Sequence, residues 1–143
     1  MAQRDFILRM IERFGQMLIA LRNRILRGDH PQQIEDSLLA GSQQVGVDLA
    51  LVRSFTLESL LMFVGKEGQL ELDRAWLMAE ILSLDGLQSA RLGQVEPARD
   101  SLLKARALYD LVGSSGSMLI GVPDIRDRLR EIDEALRDLE PEA

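Results

Sequence analysis

Apolar residues recur near the start of the chain at a spacing of 4-3-4-3-4: Ile7, Ile11, Phe14, Leu18, Leu21 and Ile25. That spacing keeps all six on one stripe of a helix, predicted over residues 4–26. Met10, Met17, Leu8 and Ile19 widen the stripe, and Arg9, Arg13, Arg22, Arg24 and Arg27 lie off its centre. Gly28-Asp29 ends the helix, and Pro31 suits the first position of the next, read over residues 31–44. Asp48 and Thr56 are placed to cap two short helical pieces, the second running to Val64. Their apolar residues, Leu49, Leu51, Phe55, Leu60, Leu61, Met62 and Phe63, do not resolve onto one face. The segment therefore either completes the core or exposes an apolar patch, and such a patch marks an interface.

A long helix follows from Leu72-Asp73 to about residue 92, apolar on two sides. Trp76, Leu77, Ile81 and Leu84 fill one side; Ala75, Ala79, Leu82, Gly86 and Ala90 fill the other. Such a helix belongs at the centre of a bundle. Gly93 closes it, and a further helix over 95–112 carries Ala98, Leu102, Ala105 and Leu108 on one stripe. Residues 113–121 read as a non-helical connector. Pro123 opens a last helix, 123–139, with a narrow seam of Ile125, Leu129, Ile132, Leu136 and Leu139. It is expected to cap one edge of the core with its charged side in water.

These elements predict an all-α, antiparallel helical bundle forming one domain over residues 1–143. Composition agrees: good helix formers dominate, and only 4% of residues are aromatic. The absence of cysteine removes disulfides, thiolate metal sites and cysteine nucleophiles. The net charge of −6 divides unevenly, with six arginines in residues 1–30 and an acidic remainder. An acidic body argues against general nucleic-acid binding, which needs a basic footprint. No signal peptide is read, and the longest apolar runs fall far short of the roughly 20 residues of a membrane span. The expected location is the cytoplasm.

Residues 79–112 resemble one tetratricopeptide repeat, a helix-turn-helix of about 34 residues with small residues at its close helix crossings. Gly86, Gly93, Ala98, Leu102 and Ala105 stand at the expected intervals. The pattern departs at Leu82, where the repeat favours Trp, and at Asp110, where it favours Pro. Residues 14–45 read either as a second, weaker copy or as two helices merely packed together. Gly28-Asp29 and Ala40 fit a copy; Gln33 and Ser37 do not. Across the chain, the run from Asp5 to Glu12, then Gly28-Asp29, then the repeat is similar to an uncharacterised bacterial family with a tetratricopeptide-like body. That family has no assigned chemistry and implies no catalytic residues.

Such repeats often bind peptides in a groove lined by the first helix of each pair. The matching face here presents Glu80, Ser83, Leu87 and Arg91, too few cations for a carboxylate clamp. The alternative is that the hairpin simply serves packing. The N-terminal helix has three readings: a core helix, a dimer seam in addition, or an element lying on an anionic membrane surface. Phe6, Met10, Phe14 and Met17 are its expected protein-binding anchors, with Leu87 and Arg91 on the hairpin.

No catalytic, cofactor or metal residue is expected. His30, the sole histidine, stands in a turn before Pro31, where its ring covers a helix end. The run Glu131, Asp133, Glu134, Asp138, Glu140 and Glu142 is interleaved with Arg128, Arg130 and Arg137, as on a solvated helix face. Gly113–Ser117 lacks the Lys-Ser/Thr of a phosphate-binding loop. The expectation is a non-catalytic scaffold or adaptor that binds a protein, including a second copy of itself. The alternative is a small-ligand sensor or enzyme with a polar site between helices.

Overall fold

The computed structural model describes residues 2–44, 46–64, 72–114 and 125–140, and among them there are seven helices and no strand. The helices are α1 (Ala2–Arg27), α2 (Pro31–Gln44), α3 (Leu49–Ser54), α4 (Leu57–Val64), α5 (Leu72–Arg91), α6 (Val95–Ser114) and α7 (Ile125–Leu139). The protein is an all-α bundle.

Each boundary has a local cause. Gly28 at φ +77° lets α1 end in a Schellman turn. There the Gly28 N–H donates to the Ile25 carbonyl at 3.1 Å and the Asp29 N–H to the Arg24 carbonyl at 3.1 Å. Gly93 closes α5 the same way, its neighbour Gln94 donating to the Ser89 carbonyl at 2.9 Å. The Asp48 carboxylate accepts from the Leu51 N–H at 3.1 Å and caps α3. Thr56 Oγ1 accepts from the Ser59 N–H at 3.0 Å at the start of α4. His30 Nδ1 accepts from the Gln32 N–H at 3.2 Å, so its ring does cover the start of α2.

The axis of the fold is α5, which packs against α1, α2, α6 and α7. Its apolar residues Ala75–Ala79, Ile81, Leu82 and Leu84 are all buried. The α5–α6 crossing is close because Gly86 faces Leu102 without a side chain between them. From α1 the core takes Phe14, Leu18, Leu21 and Ile25; from α2, Ile34 and Leu38; from α3 and α4, Leu49, Val52 and Leu60. The α7 seam lies on the edge of this core: Ile132 is buried, and Ile125, Leu129, Leu136 and Leu139 are half-buried.

Several expectations change. Gly113 and Ser114 continue α6 instead of opening the connector, since nothing before them breaks the helix; residues 115–124, including the rest of the connector and Pro123, lie outside the described residues. Arg22, expected at the margin of its stripe, is buried. On α7, Arg128, Glu131 and Asp133 do not form a free solvated face but pair with residues of the body.

Candidate functional site

Two clusters of buried and half-buried charge flank α5. The first joins α1, α5 and α7. The Arg22 guanidinium pairs with Glu131 of α7, lies 3.7 Å from the Glu80 carboxylate and donates to Ser83 Oγ at 3.4 Å. Arg128 of α7 donates from Nε to Glu80 Oε1 at 2.8 Å. Burial opposes charge on Arg128, but the neighbouring Glu80 outweighs it, so the guanidinium is held protonated more firmly than usual. The buried Tyr109 hydroxyl sits beside the Glu80 carboxylate without reaching hydrogen-bonding geometry. Burial, and then the Glu80 charge, push this phenol well above its ordinary 10.0.

The second cluster ties α2, α3, α5 and α6 together. Arg53 donates to both oxygens of Glu35 at 2.9 and 3.1 Å and to both oxygens of Asp85 at 2.5 and 3.2 Å. Its hydrogen bond to Asp85 outweighs the opposing effect of burial and raises its pKa further. Ser101 Oγ donates to Asp85 at 2.8 Å. Beside them the fully buried Lys104 ammonium donates to the carbonyls of Val52 and Arg53 at 3.2 and 3.1 Å, and to Asp100 at 2.7 Å. A cation thus closes the C-terminal end of α3, where carbonyls lack intrahelical partners. Both clusters are assemblies of mutually paired charges, an arrangement that fixes the helices to one another.

A shallow groove of about 470 Å³ runs between α6 and α7, lined by Arg99, Leu103, Arg106, Asp133 and Leu136, among others. Its charges are partly engaged: Arg106 pairs with Asp133 at 2.9 Å and Arg99 with Glu96 at 2.7 Å. Among the described residues, no three or more His, Asp or Glu side chains converge on a common metal position. None of the described helices is long and apolar enough to cross a membrane.

The expected binding residues scatter. Phe14 is 5% exposed and belongs to the core, so its ring is not a free anchor. The stripe that carries it faces α5, whose broad apolar surface covers it. Met17 is half-buried, its methyl lying over Gly41 of α2. The side chains of Phe6 and Met10 lie outside the described residues. Leu87 is half-buried against the core. Arg91 is exposed, but it donates to the Leu26 carbonyl at 3.1 Å and serves the end of α1. The face that would line a peptide groove is covered: Glu80 and Ser83 are buried beneath α1 and α7.

Exposed apolar side chains such as Ile19 and Leu26 of α1 occur on several elements, but they are densest on α4. Met62 is 72% exposed and Phe63 50%, with Leu57 and Leu61 beside them. Only Leu60 of this helix is buried. The Phe63 ring leans on Phe55 at a centroid distance of 5.3 Å. The ambiguous apolar run of the sequence thus divides, with Leu49 and Leu60 inside and Leu51, Leu61, Met62 and Phe63 outside. The charged clusters were missed, although α5 held a signal. Glu80, Ser83 and Asp85 interrupt a helix that is otherwise apolar nearly all round, and charges so placed require partners.

Comparison with protein-family models, curated proteins and solved structures finds no match to the chain.

Proposed function

We propose that the protein is a non-catalytic scaffold that binds protein, and that it associates with a second copy of itself through α4. The supporting observation is the exposure of Leu57, Leu61, Met62 and Phe63 on one short helix. Exposed apolar clusters of this kind are characteristic of interfaces. A second copy suits the surface because a twofold interface sets a patch against itself. Such a patch must be free of self-repulsion, and the only charge on α4 is Glu58 at its N-terminal end. Antiparallel pairing sets each Glu58 beside the apolar C-terminal end of the other helix. The internal pairing of Arg22, Glu80, Arg53 and Asp85 also favours a structural use of the buried charge over a catalytic one.

Absolute mass by light scattering across a range of concentrations tests the reading. The expected result is a species near twice 16.0 kDa that returns to 16.0 kDa on Phe63→Glu with Met62→Glu. A wild-type chain that stays at 16.0 kDa throughout overturns self-association. The competing small-ligand reading would use the Tyr109 hydroxyl, buried beside Glu80 and, among the described residues, without a hydrogen-bond partner in reach. A reproducible thermal shift of several degrees with one metabolite would favour it over the scaffold.

A further inference from the structure

We infer that the surface beneath α7 is a recognition groove for an amphipathic helix carrying Arg three residues before Glu beside an apolar seam, and that α7 occupies it within the chain. This surface is separate from α4 and does not depend on the reading of that helix.

The charges make the argument. On the body, Arg22 and Glu80 lie 3.7 Å apart. On α7, Arg128 and Glu131 stand one helical turn apart and cross over to them, Arg128 to Glu80 and Glu131 to Arg22. Each body charge meets its opposite in one register and one direction of the docked helix. Reversing the helix sets Arg against Arg and Glu against Glu. A one-residue slip turns both charges away. Buried ion pairs contribute little net stability and are best attested as devices of register. The apolar hold is a narrow seam, with Ile132 buried and Ile125, Leu129, Leu136 and Leu139 half-buried against the core.

What lies under α7 also favours exchange. Lifting an ordinary core helix exposes apolar surface. Lifting α7 exposes the apolar edge of the core that Ile132 and its seam cover, but with it Arg22, Glu80 and Ser83, which water solvates readily, while Arg22 and Glu80 keep each other as partners. The open groove is thus part polar and part apolar, and an amphipathic partner helix of matching charge competes with α7 for it. While α7 is docked, the apparent affinity for that partner is reduced by the fraction of molecules that are open.

The probe is a fluorescent peptide with the sequence of residues 125–139, added to the full chain. In the full-length variant Arg128→Glu with Glu131→Arg, like charges face each other and α7 is released. The expected results are faster hydrogen exchange in α7 with α5 and α6 still protected, and peptide binding roughly tenfold tighter than to wild type. Binding is expected to weaken with added salt, and a peptide with the two charges exchanged to bind neither protein. Unchanged α7 exchange, or failure of the peptide to bind a chain whose α7 exchanges freely, overturns the inference. If α5 and α6 lose protection as well, Leu129→Ser with Leu136→Ser releases α7 through its half-buried seam and the same two readouts decide. Wild-type dimerisation that this charge exchange abolishes, and that Phe63→Glu leaves intact, would assign the groove to α7 of a second copy and overturn a separate partner.

Discussion

Gly86 of α5 lies directly against Leu102 of α6. A methyl group at position 86 would stand 2.6 Å from Leu102 Cγ, 2.8 Å from Cδ2 and 3.2 Å from the Leu102 backbone nitrogen. Two opposing effects act on Gly86→Ala. Helix propensity favours Ala by about 1 kcal/mol. Overpacking at a filled crossing costs roughly 1–3 kcal/mol, and the backbone nitrogen cannot turn aside as a side chain can. The expected outcome is net destabilisation, read as a lower denaturant midpoint with unchanged slope.

The Arg53 guanidinium serves two carboxylates of unequal burial. The Asp85 side chain is 7% exposed and the Glu35 side chain 35%. Arg53→Leu leaves Asp85 with Ser101 as its remaining hydrogen-bond donor among the pairs described, and should cost roughly 1.5–3 kcal/mol. Glu35→Gln should cost about 0–1 kcal/mol, the range of a solvated pair. Urea unfolding of the two variants and their double mutant checks the order. A Glu35 effect as large as that of Arg53 would remove the distinction by burial.

Tyr109 is the sole tyrosine, so any tyrosinate absorbance, corrected for the contribution of Trp76, reports on it alone. Its folded pKa lies above the unfolded value of 10.0, so the fold favours the neutral phenol. This contribution is complete below pH 10 and is lost as pH rises above it, because the unfolded chain ionises first. Tyrosinate absorbance should therefore appear together with unfolding and not before it. Tyr109→Phe should flatten the alkaline fall in stability, measured by denaturant titrations on either side of pH 10.

The Asp48 cap holds a helix of only six residues. Asp48→Ala should cost about 0.5–2 kcal/mol. Because α3 also supplies the carbonyls that Lys104 binds, amide exchange should rise first in α3 and only later in α6. Equal changes in both helices would mean that the cap acts on the whole bundle.

Much of the fold was legible in the sequence because its determinants are local. The stripe of Phe14, Leu18, Leu21 and Ile25 specifies a buried helix face by spacing alone. Gly28 and Gly93 stop helices because of their own backbone conformation, and Asp48 and Thr56 start them through bonds spanning three residues. The apolar girth of α5 announces its central place. None of these needs knowledge of a distant residue.

What the tertiary structure decided is which charges are inside. Arg22 and Glu131 are 109 positions apart, and Arg53 and Asp85 are 32 apart. The period of a helix does not contain its neighbours' charges, so Arg128 and Glu131 read as part of a solvated face until α1 and α5 are set beside them. The apolar residues of α4 pose the converse case. A helix of eight residues has too few turns to define its buried side, and only its docking through Leu60 leaves Met62 and Phe63 outside. The sequence determined the helices and their ends because those depend on near neighbours. The fold alone determined the ion-pair clusters, the α7 register and the exposed face, because each depends on groups that meet only after packing.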